Sequence, residues 1–286
     1  MTRFSDGDVI VVTGSTRGVG EAIARRCAAA GARVVITGRN AERGEAVCAG
    51  IAADGGEAMF VAVDVTDEAA IERAFADTLR RWSRVDGCVA NAADLSLGAL
   101  DGPVTEITLD GWNRLITADL TSAFLTAKHG IRAMLAGGRG GAMLMIGSLA
   151  GVRGNLGHDA YSAAKGGMVA LTRSIAAYYA RYDIRCNCLN LGFVDSGSDR
   201  VEKVIAYPGF RDQLQDFHLG AWGTAGDIGG IAALLLSDEA RYINGASIPV
   251  DGGAYAASHM PRPTVAATIP GFSPLRPGHD KAHNKD

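Results

Sequence analysis

The stretch Val9-Ile10-Val11-Val12-Thr13-Gly14-Ser15-Thr16-Arg17-Gly18-Val19-Gly20 is a β-branched run that breaks into a glycine-rich loop. Branched side chains favour a strand, and glycines permit the tight turn and close backbone approach that a following ligand site requires. Glu21 to Gly31 then carries Ala22, Ile23, Cys27 and Ala30 at helical spacing and is stopped by Gly31. A second strand, Arg33 to Thr37, completes a βαβ unit. Strand, glycine loop and helix N-terminus together offer bare N–H groups and the positive end of a helix dipole, a ready site for the pyrophosphate of a dinucleotide. A glycine loop alone would signal only a tight turn; its place between strand and helix is what points to a nucleotide.

The end of the second strand bears on which nucleotide. An acidic residue there commonly accepts from a ribose 2′-hydroxyl, but this chain has Gly38-Arg39-Asn40, and Arg17 sits inside the loop. Two guanidiniums suit a 2′-phosphate through charge-assisted, bidentate bonds. The expectation is therefore NADP(H), with NAD(H) open; solvated surface arginines are the plain alternative.

A second stretch carries reaction chemistry. Ser148 is followed thirteen positions later by Tyr161, and Lys165 stands four beyond that. Tyr161 and Lys165 share a face if the segment is helical. A phenol exchanges protons poorly at neutral pH, since its ordinary pKa is about 10. An adjacent ammonium favours the phenolate, and a serine hydroxyl can hold a substrate oxygen while the proton moves. Those are the needs of alcohol–carbonyl interconversion.

Strand and helix patterns go on alternating. Ala58 to Val63 reads as a strand ending at Asp64-Val65, Glu68 to Arg81 as a helix, and Asp86 to Ala90 as a strand leading to Asn91-Ala92-Ala93. Trp112 to Met134 reads as one long helix, Ala142 to Gly147 as the strand delivering Ser148, and Ser162 to Tyr182 as the helix carrying Lys165. Ile184 to Leu191 and Ala246 to Val250 read as further strands. The implied fold class is α/β: a doubly wound, Rossmann-type parallel sheet of about seven strands with helices on both faces. Two readings stand for Asp64: an acceptor for an adenine amino group, or a cap for the next helix together with Thr66. The domain spans residues 1–255. It includes a long insertion, 195–223, with the character of a substrate lid. Residues 256–286 form a proline-bearing tail of disordered composition.

Composition narrows the class. With 48% hydrophobic and 21% charged residues and a net charge of −3, nothing favours nucleic acid or an anionic membrane as partner. No apolar run nears the roughly 20 residues that span a bilayer, and Met1 to Asp8 does not read as a signal peptide. Five cysteines without framework spacing suit a reducing cytoplasm. Cys186 and Cys188 read as core, and His279 and His283 in the tail as incidental, so no metal is expected.

Together these residues resemble the short-chain dehydrogenase/reductase family in its compact one-domain form, over about Val9 to Tyr255. The carriers are Thr13-Gly14-Ser15-Thr16-Arg17-Gly18-Val19-Gly20, the pairing of Ser148 with Tyr161 and Lys165, and the closing Asp251-Gly252-Gly253. The resemblance implies that Tyr161 is the general acid/base, that Lys165 assists it and bonds the nicotinamide ribose, and that Ser148 positions the substrate. It implies that Asp64 and Val65 meet adenine and that Asn91, Ala92 and Ala93 lie along the cofactor. Gly192 and Val194 would reach the carboxamide by backbone and Ser196 keeps a hydroxyl at the cofactor, although Leu191 replaces a proline usual before Gly192. At the fourth active-site position of relatives, usually asparagine, stands Asp119, which either faces Lys165 or turns aside as a structural residue. A homotetramer or dimer is also implied.

The expected activity is oxidoreduction of a secondary alcohol and a ketone, with hydride passing to or from the nicotinamide. The alternative is a catalytically impaired NADP(H)-binding sensor or scaffold. The substrate reads as moderately apolar, met by Leu97, Leu156, Tyr207, Phe210 and Phe217 beside Asn155 and His158.

Overall fold

The computed structural model describes residues 2–197, 199–210 and 222–256. Its centre is a seven-stranded sheet in the order β3-β2-β1-β4-β5-β6-β9. The strands are β1 (Val9–Val12), β2 (Arg33–Gly38), β3 (Glu57–Ala62), β4 (Gly87–Ala90), β5 (Gly141–Ser148), β6 (Ile184–Leu191) and β9 (Ser247–Val250). Every pairing in that sheet is parallel. Parallel strands need crossovers, and helices covering both faces explain why β1 and β4 are buried throughout.

On one face α1 (Gly18–Ala29), α2 (Ala41–Ala53) and α8 (Ala225–Leu236) close a core around Ile10, Ile23, Ile36, Leu144 and Leu189. On the other, α3 (Glu68–Trp82), α5 (Ser122–Gly137) and α6 (Asp159–Tyr179) pack with Val11, Phe75, Met134, Met143 and Met168. Cys186 and Cys188 are fully buried in this second core, where burial pushes their thiols up to about 12 and about 11 respectively.

Three elements differ from the sequence reading. The segment after Asn40 is a helix, α2, capped by the Asn40 side chain accepting from Arg43 N at 2.8 Å; Gly44 and Gly50 blur its pattern. The long helix is α4 (Leu109–Ile116) and α5 joined by a π-turn at Thr117–Thr121. α6 starts at Asp159, before Ser162, so Tyr161 and Lys165 lie on one helix. Part of the 195–223 insertion is regular: β7 (Val194–Asp195) pairs with β8 (Gly223–Thr224), and α7 (Asp199–Ile205) lies between them in sequence. Phe217, His279, His283 and the tail from residue 257 lie outside the described residues.

Ile36 is fully buried between β1 and β3. Ile36→Ala should cost about 2–5 kcal/mol of stability through lost transfer energy and a residual cavity, measurable by urea unfolding.

Candidate active site

β1 and β4 are neighbours, yet the strands following each run off towards opposite edges of the sheet. Crossovers therefore diverge above their carboxyl ends and leave a crevice, the usual ligand position in such sheets. Thr13 fastens the two strand ends together. Its N–H and its hydroxyl both donate to Val89 O at 3.0 Å. The same hydroxyl accepts from Asn91 N at 3.1 Å and Ala92 N at 3.3 Å. Asn91 replies through Nδ2, donating to Thr13 O at 2.9 Å and Gly14 O at 3.1 Å.

The glycines are required by this closeness. Gly14 has φ +63°, and a Cβ there would stand 2.8 Å from Ala92 Cα; a Cβ on Gly20 would meet Asn91 Nδ2 at 2.5 Å. The N-cap of α1 is Arg17, which makes no side-chain capping bond, whereas α2, α3 and α4 are capped by Asn40, Asp67 and Thr108. The first amides of α1 are thus left for an anion, and they open on a cavity of about 1220 Å³.

Most of the residues singled out from sequence line that cavity. They are Gly14, Thr16, Arg17, Gly18, Val19, Gly20, Arg39, Asp64, Val65, Asn91, Ala92, Ala93, Ser148, Tyr161, Lys165, Gly192, Val194 and Ser196. Ser15 is not in the wall: it is fully buried, donates to Val12 O at 2.7 Å and accepts from Thr37 N at 3.0 Å, shaping the loop from within. Asn155 is exposed and does not line the cavity, and Leu156, 98% exposed, projects into solvent. Leu97 does line it, with Asn113, Arg114, Ile146 and Lys203, which the sequence reading did not single out as site residues. Tyr207 and Phe210 border a separate small hollow.

Asp64 forms a turn, not a helix cap. Its Oδ1 accepts from Thr66 N at 2.9 Å and Thr66 Oγ1 at 2.7 Å, bonds that hold its carboxyl below the usual range. The cap of α3 is Asp67, accepting from Ala69 N at 3.0 Å. Arg39 Nη2 lies 3.3 Å from Asp94 Oδ2, while Arg17 is exposed and has no ion pair among the described residues. The Gly192 amide is committed to Val250 O at 3.0 Å.

Ser148 closes β5, and its hydroxyl accepts from Ala150 N at 3.2 Å, leaving its own hydrogen for a partner in the cavity. Tyr161 stands on the first turn of α6 and Lys165 one turn later, with Nζ 5.5 Å from the Tyr161 ring centroid. Lys165 is buried; its ammonium donates to Ile146 O at 3.2 Å and contacts Met168 Sδ at 3.7 Å. Asp119, on the π-turn, does not turn aside: its Oδ1 is 3.6 Å from Lys165 Nζ. Burial raises its carboxyl above the ordinary range, opposed by the Lys165 charge and reinforced by Asp94 and Asp101.

A family model described as enoyl-(acyl carrier protein) reductase matches residues 14–255. The chain belongs to the short-chain dehydrogenase/reductase family. It is 36% identical to sorbitol dehydrogenase of Cereibacter sphaeroides over 87% of this chain and 97% of that protein. Among solved structures, carveol dehydrogenase from Mycobacterium avium in complex with NAD is 27% identical, with a TM-score of 0.83, covering 90% of this chain and 100% of that one. A putative 2-deoxy-D-gluconate 3-dehydrogenase from Agrobacterium tumefaciens with bound NADP is 31% identical, with a TM-score of 0.80, covering 89% and 98%. This chain is accordingly an oxidoreductase of the alcohol–carbonyl type that works with a nicotinamide cofactor, and its crevice fits one.

Sequence reasoning missed Asp101. The N-cap of α6, His158, makes no capping bond; Asp101, some sixty residues earlier, accepts from Ala160 N at 3.0 Å and Tyr161 N at 3.1 Å instead. A cap borrowed from so far away leaves no local signature. Asp101→Ala should cost about 1–2 kcal/mol of stability and loosen the turn bearing Tyr161, so a lower urea midpoint should accompany a reduced kcat.

Proposed function

We propose that this chain is an NADP(H)-preferring ketoreductase or secondary-alcohol dehydrogenase acting on a moderately apolar small molecule. The observation that carries the reading is one cavity wall holding Ser148, Tyr161 and Lys165 together with the glycine cradle. The cofactor would lie with its pyrophosphate on the amides that open α1, near Gly14, Gly18 and Gly20, and supplies the hydride when bound. Ser148 donates to the substrate oxygen and fixes its direction. Tyr161 delivers a proton to that oxygen in reduction and takes it in oxidation. Lys165, held by Ile146 O, stabilises charge on the phenol oxygen as the proton leaves. Leu97 and Ile146 supply apolar surface. Residues 1–255 act as one catalytic domain. An oligomer of two or four copies in a reducing cytoplasm is the expected form, in keeping with five unpaired cysteines.

Preference for the phosphorylated cofactor is supported by the two arginines. Arg17 is unpaired among the described residues, and Arg39 is held only by an exposed contact to Asp94. Such a contact is worth at most about 1 kcal/mol, so a 2′-phosphate can replace it. Asn40, the next polar group, is occupied in capping α2.

Tyr161→Phe should lower kcat by about 10²–10⁴-fold while cofactor binding, followed by fluorescence transfer from tryptophan, stays near that of the unmodified chain; retained turnover overturns the assignment. NADPH should exceed NADH in kcat/KM by at least about tenfold, and Arg39→Asp should shrink that ratio. An intrinsic NADH preference would refute the cofactor reading.

A further inference from the structure

The cation behind Tyr161 is shared by two groups with opposite demands. Lys165 and Asp119 form an ion pair inside the protein, with side chains 5% and 3% exposed and 3.6 Å between Nζ and Oδ1. That separation is too long for a hydrogen bond, and Asp119 Oδ1 is buried without any hydrogen-bond partner. The ammonium instead bonds Ile146 O, and it stands 5.5 Å from the Tyr161 ring centroid. An aspartate inside a helix is a poor helix former, and a buried acceptor left unbonded is costly. A purely structural position would be served better by a neutral residue. What the carboxylate supplies there is charge.

The charged surroundings are few. Asp94 and Asp101, from the segment after β4, oppose ionisation of Asp119. Cys188 on β6 feels Lys165, but burial pushes its thiol up to about 11, so it is neutral. On the helices flanking the π-turn, Arg114 lies 3.8 Å from Asp110, and Lys128 and His129 contact Glu68 at 2.5 and 3.1 Å. Those side chains have acidic partners of their own. Lys165 is left to divide its influence between Asp119 and Tyr161.

We propose that Asp119 is a charge-balancing, positioning residue: by pairing with Lys165 it sets the pH range over which Tyr161 exchanges its proton. The inference rests on the acid–base role assigned to Tyr161 above. Its sign follows from electrostatics. The ammonium favours the phenolate, and a carboxylate beside the ammonium offsets that effect. Removing the carboxylate therefore makes the phenolate easier to form. In reduction the acid form is lost at lower pH; in oxidation the base form is gained at lower pH. Both limbs move the same way.

The test needs no substrate. Tyrosinate absorbance is titrated in the full chain and in Tyr161→Phe, and the difference isolates Tyr161 among the seven tyrosines. The same pair is then measured in the Asp119→Asn background. The expected result is a difference curve displaced to lower pH, with on the order of tenfold more tyrosinate at a pH below the midpoint. Coincident curves, or displacement to higher pH, overturn the proposal. Should Asp119→Asn fail to fold, Asp119→Ser also removes the charge and should displace the curve in the same direction. A role confined to packing would lower Tm without displacing either curve. If Tyr161→Phe retains full turnover of a ketone such as cyclohexanone, the proposed function fails. If it loses turnover but the Asp119 curves coincide, only this inference fails.

Discussion

The site depends on the Thr13 hydroxyl. It is nearly buried, donates to Val89 O and accepts the amides of Asn91 and Ala92. A parallel sheet supplies no side-to-side bonds once the strands have ended, so the loops after β1 and β4 would otherwise splay where the crossovers diverge. Thr13 and Asn91 extend the pairing beyond the ladder. They hold the glycine loop against Ala92, leaving the amides at the start of α1 turned to the cavity. Position of the cradle is thus set by a polar knot within the fold, in place before any ligand arrives.

The acid–base group is built on a second constraint, the burial of Lys165. Removing an ammonium from water is costly unless it is paired and hydrogen-bonded. Here the compensation comes from three elements at once: the carbonyl of Ile146 on β5, Met168 on the same helix and Asp119 on the π-turn. The arrangement fixes the ammonium relative to both Ser148, at the end of β5, and Tyr161, one turn back on α6. Arg153, just beyond Ser148, donates to Ala254 O, and so ties the turn after β9 to this end of the sheet.

Much of this was legible from the chain because it is written locally. A β-branched run, four glycines and a helical period lie within Val9–Gly31, and Tyr161 and Lys165 declare their common face through a four-residue spacing. The parallel sheet with helices on both faces follows from that alternation. What could not be read is non-local or conformational. Asp101 caps a helix some sixty residues away, and α2 is obscured by two glycines inside it. Asn155 sits in a loop that sequence places near the substrate, yet residues 154–158 are exposed. Ser15 belongs to the motif, but its hydroxyl is turned inward. Whether Asp119 faced Lys165 depended on the phase of a helix, which residue type alone does not fix.

That phase is set by the π-turn at Thr117–Thr121. A π-turn accommodates one more residue than an α-turn within the same helical span, and one residue corresponds to about 100° of rotation about an α-helix. α4 and α5 therefore read as two helices keyed at different angles on one shaft. The insertion lets α4 present Asn113 and Arg114 to the cavity while α5 keeps Leu125, Ile131 and Met134 in the core. Chain length at this point is consequently a design variable as strict as residue identity. Losing a single residue would re-index everything on one side of the turn against the other, even with every remaining side chain unchanged.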